Sequence, residues 1–301
     1  MKHLVQIFLT FLLITSPCIA ESPSPSPTPS DGYNGWHSLA EKLMKDGFSE
    51  AELKAVFNDE RMQPFSFVSF SLVPHESYDM YQTHYKPYKI KVGKECLRRY
   101  QTNFKEASER FHVAPNVIAS VMLIETFCGR FTGNTPIFGR LARLANIDDP
   151  ENLQHNFKRH HELDANVTFE DSKNRAAYLV NTFYPEILAL FKISKDTGSD
   201  VFEIKGSVAG AFGLTQFLPS SFLKFGIDGD NNGVISLFTP ADAISSTAHF
   251  LSSYGWDDNA SRDEKKRIIW KYNHSEAYVD TILNVADLLV GKKISLNNKA
   301  K

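Results

Sequence analysis

The sequence predicts a mainly α-helical protein, and three observations carry that prediction. Apolar residues recur three and four apart, as Trp36, Leu39 and Leu43 do. Runs of period-two alternation are few, and no internal repeat is evident. Helix punctuation is explicit: Ser49 with Glu52 three residues on is a capping box, and Pro115 stands where a first helical turn accepts proline.

Taken in order, the chain opens with Lys2, His3 and the apolar run "LVQIFLTFLLI", followed by "TSPCIAE". That run is shorter than the about 20 apolar residues a membrane-spanning helix needs. Its length and flanks predict a secretory leader over residues 1–20, cut after Ala20. Lipid attachment at Cys18 is the lesser alternative, because Pro17 stands where a small residue usually precedes such a cysteine. The Ser/Pro alternation "SPSPSPTPS" makes residues 21–33 an extended tether that cannot build a core.

Residues 34–90 read as an N-terminal helical region in which Gly47 ends the first helix. "YKIKVGKECLRRYQTNFKEASERFHV" reads as a loop and then an amphipathic helix. Residues 148–195 are mostly helical, although "RHHELD" within them reads as a solvated turn, with its two adjacent histidines as metal ligands the lesser alternative. "GSVAGAFGLTQFLPSSF" begins glycine-rich and turns helical. "ADAISSTAHFLSSYGW" and "AYVDTILNVADLLVG" supply the last helices. The main domain is placed at 91–292, with a polar tail at 293–301.

Composition bounds what this protein can be. A hydrophobic share of 42% can supply a real core, and a formal net charge of −2 argues against a nucleic-acid partner. Of three cysteines, Cys18 would leave with the leader. Cys96 and Cys128 remain, either as a disulfide or as two buried thiols.

Two stretches carry chemistry. In "VMLIETFCGRFTG", Glu125 shares a helical face with Ile118, Val121 and Met122, so it points into a core or a cleft. Desolvation raises a carboxyl pKa and keeps it protonated, as a general acid requires. From periodicity alone a structural ion pair with Arg130 or Arg140 is the commoner explanation of such a residue, and the resemblance below tips the reading to the acid. In "DGDNNGVISLFTPAD", Asp228, Asp230 and Asn232 occupy positions one, three and five of a calcium loop. Val234 stands at seven, where a backbone carbonyl serves. Position twelve is Thr239, and the next carboxylate is Asp242. An ordinary Asp/Asn/Gly turn is the alternative.

"IETFCGRFTGNT", "GSVAGAFGLTQFLPSSF", "IDGDNNGVISLFTPADAISSTAHFLSSYGW" and "KYNHSEAY", in that order over roughly residues 90 to 290, resemble the lytic murein transglycosylase B family of peptidoglycan-cutting enzymes. The resemblance implies a lysozyme-like, goose-type catalytic core with an additional N-terminal helical region and an EF-hand-like loop. It implies that Glu125, in the family pattern E-T-x-x-G-R, is the catalytic acid and then base, and that the product is a 1,6-anhydromuramoyl end. Ser207, Gln216, Tyr272, Asn273 and Tyr278 match residues of the glycan-binding cleft. Asp228, Asp230, Asn232, Val234 and Asp242 match a structural calcium site. Peptidoglycan strands are the implied partner, with other cell-wall enzymes beside them. The protein would be a monomer exported to the periplasm.

Three departures from the family stand out. Cys128 replaces a common tryptophan, Phe250 replaces a common tyrosine, and the segment between "YGW" and "KYN" is short. The match before about residue 85 is loose. A hydrolytic muramidase would want a second carboxylate, and none stands in a comparable motif. A non-catalytic glycan binder would not need Glu125.

Overall fold

The structure is a computed structural model that describes residues 32–73 and 76–294. The leader, the Ser/Pro tether and most of the polar tail lie outside the described residues. Contacts group the chain into two compact units that interleave, where the sequence suggests a single boundary at residue 90. Residues 76–137 and 204–294 form one unit, and residues 32–73 and 138–203 form the other.

The second of these units is helical throughout. It holds α1 (His37–Lys45), α2 (Glu50–Phe57), most of α7 (Ile137–Ala145), α8 (Pro150–Leu163) and α9 (Phe169–Thr197). The Ser49–Glu52 capping box opens α2 as predicted, each side chain bonding the other's backbone N–H. Gly47 follows α1 in the left-handed region at φ 94°. Trp36, Leu39, Leu43 and Phe57 are fully buried, with the Trp36 and Phe57 rings stacked 5.7 Å apart. The "RHHELD" segment corrects the expected solvated turn, because it closes α8. His160 is buried there, bonded to Ser172 Oγ and to the Phe70 carbonyl oxygen, and burial lowers its pKa. It is a core histidine rather than a metal ligand.

The first unit carries every predicted site residue. It consists of α3 (Tyr78–Tyr81), a 3-10 turn (Gln82–Tyr85), α4 (Pro87–Arg99), α5 (Gln101–Phe111), α6 (Pro115–Thr126), α10 (Pro219–Phe225), α11 (Pro240–Ser253), α12 (Arg262–Ile269) and α13 (Glu276–Leu289). Two helices stand where the sequence suggests a loop and one helix: Pro87 opens α4 at its first turn, and the chain breaks at Tyr100 instead.

Helix α6 is the axis of this unit and packs against α4, α5, α11 and α13. Val117 to Leu123 are all buried, so the helix is covered on nearly every side. Each fully buried Ile or Leu there contributes about 1.5–3 kcal/mol.

A two-residue antiparallel ladder pairs β1 (Thr135–Pro136) with β2 (Lys205–Gly206). Gly133 leads into it at φ 88°, and a Cβ at that position would lie 2.1 Å from the Gly206 carbonyl oxygen. Gly133→Ala is therefore expected to cost at least about 2 kcal/mol, read as a lower urea midpoint with an unchanged m-value. An unchanged midpoint would mean that the backbone yields there at no cost.

Candidate active site

The site is built on the C-terminal end of α6. Glu125 is half-buried one residue before the helix ends. Its Oε1 accepts a hydrogen bond from the Tyr278 hydroxyl at 2.6 Å. Burial pushes its pKa up to about 8, with the Tyr278 bond pulling against that rise and the charge of Glu76 adding to it. No cation is among these influences. Of the two arginines of the alternative ion-pair reading, Arg130 sets its guanidinium 5.0 Å over the Phe127 ring, and neither Arg130 nor Arg140 is among the groups that shift Glu125.

The E-T-x-x-G-R stretch has a local physical logic. Thr126 Oγ1 donates to the Leu214 carbonyl oxygen at 2.8 Å and accepts the Gly129 N–H at 2.9 Å. It bolts the end of α6 to the 206–217 segment. Phe127, Cys128 and Gly129 all have positive φ, which turns the chain sharply away behind Glu125.

The 206–217 segment is a set of tight turns closed by Ser207 N–H to Ala211, and by Phe212 and Phe217 exchanging backbone bonds. Gln216 is left-handed at φ 51° and buried. Both hydrogens of its Nε2 are taken, by the Thr132 and Gly213 carbonyl oxygens at 3.1 and 2.8 Å. Its remaining capacity is as an acceptor. Ser207 Oγ donates to the Ala211 carbonyl oxygen at 3.3 Å. Ser207 is joined to Glu125 through this loop and not by a hydrogen bond.

The remaining predicted residues come from the segment before α13 and from α13 itself. Tyr272 and Tyr278 are buried, with rings nearly parallel at 15° and centroids 6.3 Å apart. The Tyr272 hydroxyl donates to the Thr215 carbonyl oxygen, so it braces the glutamine loop. Asn273 is buried beside it. Phe250 packs edge-on against Tyr272 at 4.8 Å, where a hydroxyl would have little room to find water.

Two residues that the sequence did not single out belong to this cluster. Tyr81 sets its ring edge-on to Tyr278 at 6.2 Å, and its hydroxyl donates to Glu76 Oε2 at 2.7 Å. Glu76 Oε1 is buried without a hydrogen-bond partner. Glu76 and Tyr81 sit in a region of polar, aromatic sequence with no periodic signal, so only their placement next to Glu125 reveals them.

The metal-loop residues also converge. Carboxylate oxygens of Asp228, Asp230 and Asp242 lie within 4.8 Å of one another. Asp242 is fully buried in the first turn of α11 and accepts the Gly229 and Ser236 N–H groups at 2.8 and 2.7 Å. Asp228 accepts the Gly233 N–H at 2.8 Å, and that bond leads the causes holding its pKa low. Asn232 Oδ1 accepts the Val234 N–H at 2.8 Å. Among the described residues, none of the three aspartates has an ion-pair partner.

A family model for the transglycosylase SLT domain matches residues 32–265. The chain belongs to this family. Membrane-bound lytic murein transglycosylase B of Escherichia coli K12 is 29% identical over 170 residues, which are 56% of this chain and 39% of that protein. The chain therefore spans well under half the length of that relative. Among solved structures, the Escherichia coli lytic transglycosylase Slt35 in complex with calcium superposes with a TM-score of 0.62 at 19% identity. That match covers 95% of this chain and 96% of Slt35. SltB3 of Pseudomonas aeruginosa, in complex with NAG-anhNAM-pentapeptide, gives a TM-score of 0.61 at 17% identity, covering 85% of this chain and 79% of SltB3. The transglycosylase SLT domain of this chain thus has the mainly α fold of the lytic transglycosylases.

Proposed function

We propose that this protein is a lytic transglycosylase that cleaves the β-1,4 bond between N-acetylmuramic acid and N-acetylglucosamine in peptidoglycan. The observation that carries the reading is Glu125: a carboxyl on the family's E-T-x-x-G-R turn, desolvated and with its pKa pushed up to about 8. At neutral pH such a group holds a proton to give.

Glu125 would first protonate the glycosidic oxygen, and the N-acetylglucosamine alcohol would leave. The resulting carboxylate, stabilised by the Tyr278 hydroxyl, would then accept the proton of the muramoyl 6-hydroxyl as that oxygen closes on C1. The proton balance returns Glu125 to its acid form, and no water is consumed. A positioned intramolecular nucleophile removes the need for an activated water and much of the entropic barrier.

Ser207, Gln216, Tyr272, Asn273 and Tyr278 are the proposed glycan wall. The Oε1 of Gln216 is an acceptor for a sugar hydroxyl or an acetamido N–H, while the buried tyrosines hold Glu125 and the 206–217 loop in place behind the glycan. The relatives solved with bulgecin A and with NAG-NAM-pentapeptide support such a ligand class. The setting would be the periplasm, reached through the leader, with glycan strands as the partner of a monomer.

A hydrolytic muramidase is the second reading, because Glu76 does place another carboxylate near Glu125. Against it, one oxygen of Glu76 is engaged by Tyr81 and the other is buried, so neither is offered to a water in a cleft.

Asp228, Asp230, Asn232, the Val234 carbonyl and Asp242 fit a calcium ion. Three converging carboxylates with no ion-pair partner among the described residues, their oxygens within 4.8 Å, suit a hard ion that takes oxygens at about 2.4 Å. Calcium would brace the 228–242 loop against α11 and take no part in the chemistry. Chelation is expected to lower Tm by several degrees, and Asp242→Asn to remove that sensitivity. Calorimetry showing neither calcium binding nor a Tm change would make the loop a simple turn.

A further inference from the structure

We propose that Cys96 and Cys128 form an intramolecular disulfide that locks the turn behind Glu125 onto α4. These are the two cysteines among the described residues, and both are free thiols in this structure. Their side chains are near enough to act on each other's ionisation, Cys128 favouring the Cys96 thiolate and Cys96 pushing the Cys128 thiol up.

The backbone explains why they meet. Helix α4 packs on α6, and Gly93 sets the distance, since a Cβ there would lie 2.9 Å from the Leu123 side chain and 2.5 Å from that of Leu289. Cys96 is three residues further on and shares that face. Cys128 is delivered from the other side by the end of α6. Phe127 N–H returns to Leu123 and Cys128 N–H to Met122, at 3.1 and 2.9 Å.

The turn also has a use for a covalent tie. Phe127 and Cys128 are consecutive non-glycine residues in the left-handed region, at φ 54° and 58°. Each is costly there and persists only where the surroundings hold it. A bond from Cys128 to the rigid α4 would hold both, and with them the last turn of α6 that carries Glu125.

The chemistry balances with a disulfide of the glutathione or exchange-protein class as oxidant. Hydrogen bonding from Cys128, aided by Arg99, favours the Cys96 thiolate over the opposing effect of burial. That thiolate attacks the oxidant's disulfide and releases one of its sulfurs as a thiol. The Cys128 sulfur then loses its proton, attacks the Cys96 sulfur and releases the second thiol. Two protein thiols are oxidised and one external disulfide is reduced. Bond formation is independent of the proposed activity; its consequence for catalysis rests on Glu125 being the acid.

The test is a peptide map of purified full-length protein equilibrated in a glutathione buffer of oxidising poise, denatured and alkylated, with Cys18 mapped separately. The expected result is one linked species joining the Cys96 and Cys128 peptides, and a Tm several degrees above that of the reduced protein. A Cys96→Ala/Cys128→Ala variant should have a Tm indifferent to the buffer. Full alkylation of both cysteines, or two separate glutathione adducts, would overturn the proposal. So would a redox-sensitive Tm in the double variant. Lytic activity measured in the same samples separates this failure from a failure of the functional reading.

Discussion

Glu125→Gln is expected to leave the protein folded and to lower peptidoglycan cleavage by about three orders of magnitude, the scale of a lost general acid–base. Glutamine keeps the shape and can still meet the Tyr278 hydroxyl, but it can neither give nor take the proton. The same variant reads out the environment of the carboxyl. Glu125 titrates near 4.5 when exposed and is pushed up to about 8 in the fold. Between those values the folded protein keeps a proton that the unfolded chain has released. Stability therefore falls as pH rises through that window, then levels off. Glutamine carries no such liability. The Tm of Glu125→Gln should match the wild type near pH 4.5 and exceed it increasingly up to pH 8. Retained activity would end the catalytic assignment, and a gap that shrinks with rising pH would contradict the desolvated carboxyl.

Tyr278→Phe is the second large effect. Its hydroxyl donates at 2.6 Å to Glu125 and favours the carboxylate, against burial. A hydrogen bond to a charged group is worth about 1.5–3 kcal/mol, so kcat should fall about ten- to hundredfold. The basic limb of the kcat/KM profile should move to higher pH, because the force lowering the Glu125 pKa is gone. Glu76→Gln should move that limb the other way, because it removes a like charge. Limbs moving together, or not at all, would show that the Tyr278–Glu125 and Glu76–Glu125 interactions do not set the titration.

Legibility in the sequence followed the range of the forces involved. The capping box at Ser49, the proline at the start of α6 and the burial of Val117 to Leu123 are local patterns, and the predicted helices stand where those patterns lie. The break at Tyr100 was not legible, because no proline or glycine stands there and the two helices adjoin through a single residue. That residues 76–137 and 204–294 belong to one compact unit was hidden because contacts so distant along the chain fall in no single window of the sequence. At the site, Glu125 stood out as a carboxylate in an apolar run. Tyr81 and Glu76 did not, because nothing local distinguishes an aromatic that buttresses Tyr278 from one on a surface. His160 was read as solvated from its polar neighbours, whereas the helix turns it inward to Ser172 and Phe70.

The most direct measurement is mass spectrometry of the muropeptides released from purified peptidoglycan by the folded protein with calcium present. The account predicts products ending in 1,6-anhydromuramic acid, lighter by one water than hydrolytic products, and none from Glu125→Gln. Reducing-end muramic acid would contradict it and turn attention to Glu76 as the partner of an attacking water.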